Sequence, residues 1–251
     1  PARCRGGPHR PPPPRRLSGG GHVPGEALPP DYDERPERFR IARSVLGRHA
    51  ARGDVHADVA RRILDEGLAP VLDVGCGEGE LARHLPDGAW VGVDSSPTML
   101  ARAPGPVVEA DATALPYPDA SFGSVALLYV LYHLADPARA LAEAHRVLRR
   151  GGLLAVAAPS RHDSPELAHV LPAARLTFDA ELAPELIAQR FHDLEIEPWD
   201  APLLWLPDRA SVRDYLIGKG TEPARAAAAA DETGVPLEVT KRGALVFARR
   251  R

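Results

Sequence analysis

A short apolar run, Val71-Leu72-Asp73-Val74, leads straight into Gly75-Cys76-Gly77-Glu78-Gly79, and a second run, Trp90-Val91-Gly92-Val93, ends on Asp94. Strand, glycine-rich turn, helix, strand and acid in this order restrict the chain to βαβ construction, because parallel strands need a crossover between them. The three glycines let the backbone turn sharply and let a ligand approach without Cβ interference. A helix expected over residues 78–85 would present unpaired N–H groups and a positive dipole end to that ligand. Asp94 stands nineteen residues after Gly75, the distance at which an acid is expected to take a ribose in a nucleotide-binding unit. A glycine loop alone fits a plain tight turn; the strand before it and the acid after it favour a nucleotide-type ligand.

The same alternation continues along the chain. Ser96-Pro97 opens a helix, Val107-Val108 reads as a third strand, and residues 122–129, a run apolar but for Ser124, read as a fourth strand covered on both faces. Residues 137–149 read as a helix with Leu141, Ala144 and Leu148 facing inward, ended by Gly151-Gly152 and followed by a fifth strand over 153–157. Residues 35–67 read as one helix, with Val55, Val59, Ile63 and Leu64 on its buried face and Gly67 at its end. Farther on, 191–198 reads as a sixth strand, 235–249 holds a seventh, and helices are expected over 208–216 and 223–232. The expected fold is α/β: a doubly wound, mostly parallel seven-stranded sheet of Rossmann type, with an N-terminal helical cap and a helical lid after strand five. Ligands of such sheets sit beyond the carboxyl ends of the strands, which gathers Gly75, Asp94, Asp111 and Tyr129 around one crevice.

Composition narrows the function classes. The 251 residues suit one large domain, and 44% hydrophobic with 26% charged residues is ordinary for a soluble protein. Residues 1–30 stand apart: four consecutive prolines after Arg10, then Gly19-Gly20-Gly21, lack the periodicity of a packed element and read as a disordered tail or an artefact. The arginines there suggest a targeting peptide, but the prolines defeat an amphipathic helix. The domain is expected over 31–251, with a cofactor-binding core at 70–159 and an acceptor-binding lid at about 160–234. A net charge of −3 without a basic patch argues against a nucleic-acid partner. No apolar run approaches the roughly 20 residues of a bilayer span. Cys4 and Cys76 are too few for a zinc site and read as reduced cytoplasmic thiols; His162, His169 and His192 lack metal-ligand spacing. Lys219 and Lys241 are the only lysines among 31 basic residues, an imbalance that reads as codon bias.

Two residues separate a dinucleotide from an adenosyl ligand. A dinucleotide fingerprint wants a third glycine three positions after the second, for close helix–strand packing, and position 80 is Glu80. Glu78 within the loop would sit badly beside a pyrophosphate and better beside a ligand carrying an ammonium and a sulfonium.

The ordered motifs resemble a known family. Residues 71–79 are similar to motif I of class I S-adenosylmethionine-dependent methyltransferases, and residues 91–100 to their second motif. Residues 110–122 resemble the third-strand loop of the UbiE-like branch; residues 132–137, 148–153 and 241–247 complete the series. The resemblance implies S-adenosylmethionine as cofactor and a small-molecule acceptor. It implies that Gly75, Cys76 and Gly77 line the methionine moiety, with Asp73 holding its amino group. Asp94 would accept both ribose hydroxyls, Ser95 would neighbour the adenine, and Asp111 and the Ala112 backbone would face its edge. Leu128 or Tyr129 would sit near the sulfonium. The chain departs from the family pattern at Gly123, where aspartate is usual, and at Leu127 and Leu128, where polar residues are common.

Methyl transfer asks little of side chains, because the cofactor is already activated and the protein mainly aligns the nucleophile. A base is needed only for a weakly acidic acceptor, and His133 is the candidate. Tyr32 is a candidate to close over the cofactor. Trp199, Trp205, Leu203 and Leu204 line an apolar acceptor pocket or belong to the core, and Tyr129 and Tyr132 offer ring faces to a cation or simply pack. The alternatives are a cofactor-binding sensor or assembly protein without transferase activity, and an NAD-dependent dehydrogenase.

Overall fold

The structure, a computed structural model, describes residues 33–51, 54–171 and 176–251; the segment 1–30, Cys4 and Tyr32 lie outside the described residues. Seven strands, β1 (Val71–Val74), β2 (Trp90–Asp94), β3 (Val107–Glu109), β4 (Phe122–Leu128), β5 (Leu148–Pro159), β6 (His192–Leu206) and β7 (Leu237–Arg249), form one sheet in the order β3-β2-β1-β4-β5-β7-β6. The first five are parallel, and β7 runs antiparallel between β5 and β6. Strand order reverses between β1 and β4, so the switch point lies where the glycine loop leaves β1.

Among the described residues seven helices surround the sheet: α1 (Pro36–His49), α2 (Val55–Asp65), α3 (Pro97–Leu100), α4 (Pro137–Val147), α5 (Ala183–Ala188), α6 (Arg209–Gly218) and α7 (Pro223–Glu232). Alternate strand residues feed two cores. Leu72, Val74, Val125 and Leu127 pack with Leu141 and Ala144 of α4 and Ile187 of α5. Val71, Ala126, Leu128 and Ala155 pack on the other face with Val55, Val59 and Ile63 of α2. Burial on both faces explains the nearly continuous apolar run of β4, whose one polar side chain, Ser124, donates to the Leu68 carbonyl at 3.0 Å. A third core joins cap and lid: Val45 of α1 meets Leu204 and Leu206 of β6, Val212 and Leu216 of α6, and Ala226 of α7. Strands β6 and β7 pair beyond Pro159, where β5 stops, and carry these helices on a two-stranded arm.

Several expectations need correction. Residues 35–67 form two helices rather than one. The chain leaves α1 at Ala50, which bridges to Leu204, while the Ala51 N–H donates to the Leu203 carbonyl at 2.7 Å. Asp54 then restarts the helix by accepting from the His56 N–H. Leu64, expected inward, is exposed, and Ala60 takes the buried place. The helix expected over 78–85 is only a four-residue 3₁₀ turn, Leu81–His84. Gly77 and Gly79 adopt positive φ before it, and Pro86 holds Leu85 extended after it. No helix dipole of consequence therefore faces the loop. Strand β5 starts at Leu148, with no loop after α4, and β6 runs to Leu206, past Pro198 and Pro202. Both prolines are tolerated because β6 is an edge strand, where an N–H can be missing. Helix α5 escaped prediction; the buried Asp179 accepts from the Leu182 N–H just before it begins.

The glycine that departs from the family pattern has a steric cause. A Cβ on Gly123 would overlap the Leu68 carbonyl oxygen and lie 2.7 Å from its carbon. The Gly123 N–H donates to the Pro70 carbonyl at 3.0 Å, so β4 begins pressed against the entry to β1.

Candidate active site

The glycine loop is fastened from below. Gly75 N–H and Cys76 N–H both donate to the Val93 carbonyl, at 2.7 and 3.0 Å. Gly75, Gly77 and Gly79 have φ of +72°, +55° and +77°, the left-handed region that favours glycine. A Cβ on Gly75 would lie 2.8 Å from Val130 Cβ, so only glycine lets this loop approach the turn after β4.

Two carboxylates flank the loop. Asp94 Oδ2 accepts the Gly77 N–H at 2.8 Å, and its Oδ1 accepts the Ser96 N–H at 2.9 Å. Each oxygen keeps a second lone pair, so the carboxylate can hold the loop and still accept a diol. Asp73 is buried and its Oδ2 accepts from Trp90 Nε1–H at 3.1 Å. Burial pushes its carboxyl up to about 6, against that hydrogen bond, and the charge of Asp94 adds to the rise. Cys76 is a free, buried thiol, and burial lifts it above its usual range, so it stays protonated.

Ser95, Asp111, Ala112 and Leu128 stand at or just past the carboxyl ends of β2, β3 and β4. Ser95 is exposed. Asp111 is exposed too, and its Oδ1 accepts from both the N–H and the hydroxyl of Thr113, forming an Asx turn beside the buried Ala112. Leu128 is buried at the end of β4; Tyr129 follows at φ +59° with its N–H bonded to the Ala157 carbonyl at 2.9 Å. His133 ends the 3₁₀ turn Leu131–His133, and its ring lies 4.4 Å from that of Tyr132.

The loop glutamates act differently from expectation. Glu78 is buried and faces three arginines, Arg40 at 3.3 Å, Arg43 at 3.7 Å and Arg102 at 3.9 Å. Glu80 pairs with Arg43 and with Arg83. Their charge is neutralised by α1, so it offers little to a cationic ligand; its work is to clamp the cap onto the loop. Arg40 and Arg43, one turn apart on α1, escaped the sequence reading because their partners lie 38 and 37 residues away in the sequence. Asp33 adds a second tether, accepting from the Ser96 hydroxyl at 2.6 Å and from the Thr98 N–H at 3.3 Å. Among the four apolar lid residues, Leu204 belongs to the lid core and Trp205 is 48% exposed. Trp199 packs beside the sheet core against Gly243, so these residues do not gather into one pocket.

A doubly wound sheet with a glycine loop at its switch point and a β2 carboxylate beneath that loop is a fold built to hold a nucleoside there. Comparison with known proteins makes this specific. A family profile described as a methyltransferase domain matches residues 72–156. The chain is 35% identical over 217 residues to the trans-aconitate 2-methyltransferase of Azoarcus sp. (strain BH72), covering 78% of this chain and 80% of that one. It is 37% identical over 161 residues to the malonyl-(acyl-carrier protein) O-methyltransferase of Dechloromonas aromatica (strain RCB), covering 57% and 59%. In fold it is similar to the crystal structure of the (4+2)-cyclase SpnF, with a TM-score of 0.59, 22% identity, and 90% and 98% of the two chains covered. The chain belongs to the class I S-adenosylmethionine-dependent methyltransferases. It is a methyltransferase enzyme, and its cofactor is S-adenosylmethionine. Among the described residues no helix is long and apolar enough to cross a membrane.

Proposed function

We propose that the chain methylates a small-molecule acceptor in the crevice over β1, β2 and β4. The observation that carries the reading is the bond from the Gly77 N–H to Asp94, which holds the cofactor loop over a carboxylate with acceptor capacity to spare. The donor set fits S-adenosylmethionine. A buried carboxylate, Asp73, suits an ammonium; the Gly75–Gly77 backbone gives a cradle that a side chain would fill; Asp94 suits a vicinal diol. Ser95, Asp111 and the Ala112 backbone would border the adenine, and Cys76 would contribute its backbone to the methionine side. Leu128 would give the sulfonium an apolar neighbour. When bound, the cofactor supplies a methyl group on an activated sulfur. The chain's own residues then bind, orient and exclude water.

Residues 70–159 serve as the cofactor core, and α1 with residues 160–234 as the acceptor side, a division supported by the separate core that joins α1, β6, α6 and α7. His133 is the group to take a proton from an acceptor that arrives protonated; an acceptor already ionised would not need it. The relatives named for trans-aconitate and for a malonyl carrier favour a small or carrier-bound acceptor. A net charge of −3 gives no electrostatic basis for holding a polyanion such as DNA or RNA. The buried free thiol of Cys76 suits a reducing, cytoplasmic setting.

Calorimetry with S-adenosylhomocysteine and NAD, followed by transfer of labelled methyl to a metabolite panel, tests this reading. Micromolar binding of the first, none of the second, and labelled product are expected. NAD binding without S-adenosylhomocysteine binding would sink it.

A further inference from the structure

The chain's two lysines meet at one carboxylate. Lys219, just past α6, and Lys241, in β7, both reach Asp163 Oδ2, Lys219 at 2.9 Å. The other oxygen of Asp163 accepts the Arg242 N–H at 2.9 Å. Lys241 also donates to the Tyr215 hydroxyl at 2.8 Å and to Ser164 Oγ at 3.3 Å, and Tyr215 and Ser164 share a hydrogen bond of 2.6 Å. Asp163, Lys241, Tyr215 and Ser164 therefore form a closed network in which Lys241 has partners for its three donors. Lys219 differs. Among the described residues its ammonium lies 5.8 Å from the Tyr215 ring and donates a hydrogen bond to Asp163 alone, and 35% of its side chain is open, against 16% for Lys241.

Two ammoniums on one carboxylate leave one positive charge in excess, and at this spacing they repel each other. A second anion beside Lys219 would relieve both conditions. The place is telling. Asp163 lies four residues past the end of β5, and the 3₁₀ turn Leu131–His133 lies just past the end of β4. These strands are neighbours, and ligands of a doubly wound sheet lie over such carboxyl ends. The backbone bearing Lys219 is also fixed. Arg38 of α1 donates to the Gly218 carbonyl at 3.1 Å, and a Cβ on Gly218 would lie 2.8 Å from Ala42 Cα. The same α1 grips the cofactor loop through Arg40 and Arg43.

We propose that Lys219 binds a carboxylate of the methyl acceptor, so that the acceptor is a small organic acid, and that the Asp163–Lys241–Tyr215 network holds Lys219 in place. The excess of one positive charge matches a single carboxylate; a dianionic phosphate would overcompensate it. The proposal rests on the small-molecule methyltransferase reading and names its substrate class.

The test uses the full chain loaded with S-adenosylhomocysteine or S-adenosylmethionine. Mono-, di- and tricarboxylic acids, trans-aconitate among them, are each paired with their amides, and inorganic phosphate is a further probe. Labelled methyl transfer and calorimetric binding are measured for the wild type, Lys219→Met and Lys219→Arg. Acids are expected to bind and react while their amides and phosphate do not. Lys219→Met should raise the acid's KM at least tenfold, change kcat less than threefold and leave S-adenosylhomocysteine affinity unchanged, and Lys219→Arg should recover part of the loss. Asp163 keeps Lys241 in the Met variant, and an unchanged melting temperature would verify its fold. Amides accepted as well as acids, phosphate bound in preference to them, no acid bound or methylated, or a KM indifferent to Lys219→Met would overturn the proposal while S-adenosylhomocysteine binding persists. Loss of that binding in the wild type would instead remove the methyltransferase reading beneath it.

Discussion

The Gly77 N–H donates to Asp94 Oδ2 across 2.8 Å, so the carboxylate that ends β2 also holds the glycine loop in shape. Asp94 thus has two tasks, and a substitution separates them. Asp94→Ala should weaken S-adenosylhomocysteine binding by about 1–3 kcal/mol, the cost of leaving polar partners unmet. Asp94→Asn keeps one carbonyl acceptor and should lose less. Calorimetry on both variants checks this, and equal affinity to wild type would remove Asp94 from the site.

Asp73 gives a pH dependence with a definite sign. Its carboxyl sits at about 6 in the folded chain against an ordinary 3.8. The folded state thus holds this proton more tightly than the unfolded one. Stability contributed by the neutral acid is present below about pH 4 and is lost as pH rises through 6, by about 3 kcal/mol at most. An ammonium ligand favours the ionised form. Affinity for S-adenosylhomocysteine should accordingly be greatest above pH 6 and fall by up to about tenfold at pH 5. Asp73→Asn should flatten that profile, which binding measured from pH 5 to 8 would reveal.

Arg43 ties α1 to both loop glutamates, and Glu78 and Glu80 are mostly shielded from water. Arg43→Ala should lower stability by about 1–2 kcal/mol, because it leaves part-buried charge short of a partner. Arg61→Ala, at a 70% exposed side chain paired, among the described residues, only with Asp58, should change it by less than about 0.5 kcal/mol. Thermal denaturation of the two variants supplies the comparison.

Gly123 restores the family's usual residue when changed to aspartate, yet the change should harm this chain. A Cβ there meets the Leu68 carbonyl, a backbone group unable to step aside. Gly123→Ala and Gly123→Asp should each destabilise by about 1–3 kcal/mol, with the aspartate worse because its charge enters a buried strand. Melting temperatures rank the pair.

The sheet was legible because its signals are local. Apolar runs such as 122–128 and punctuation at Gly67 and Ser96-Pro97 depend on neighbours in sequence, and five strands follow from them. The glycine loop was legible for the same reason. What escaped depends on distant partners. Nothing near Glu78 announces that Arg40 and Arg43 neutralise it, and nothing near Ala50 announces the bridge to Leu204 that splits the expected first helix. Lys219 and Lys241 read as relics of codon usage until the fold brought them to one oxygen of Asp163. The prolines of β6 misled because their tolerance is set by a place at the sheet edge, which sequence does not state.

That edge has a further consequence. Among the described residues no strand pairs along the outer side of β6, and an open strand edge offers its N–H and C=O groups to any passing chain, a route to aggregation. Strand β6 also exposes Ile196 and Trp205, the kind of sticky surface that would favour such pairing. Pro198 and Pro202 withhold two of the donors a recruited strand would need, and Ala50 and Ala51 already lie against Leu204 and Leu203. The irregularities that obscured β6 in the sequence therefore work against growth of one copy of the sheet onto another.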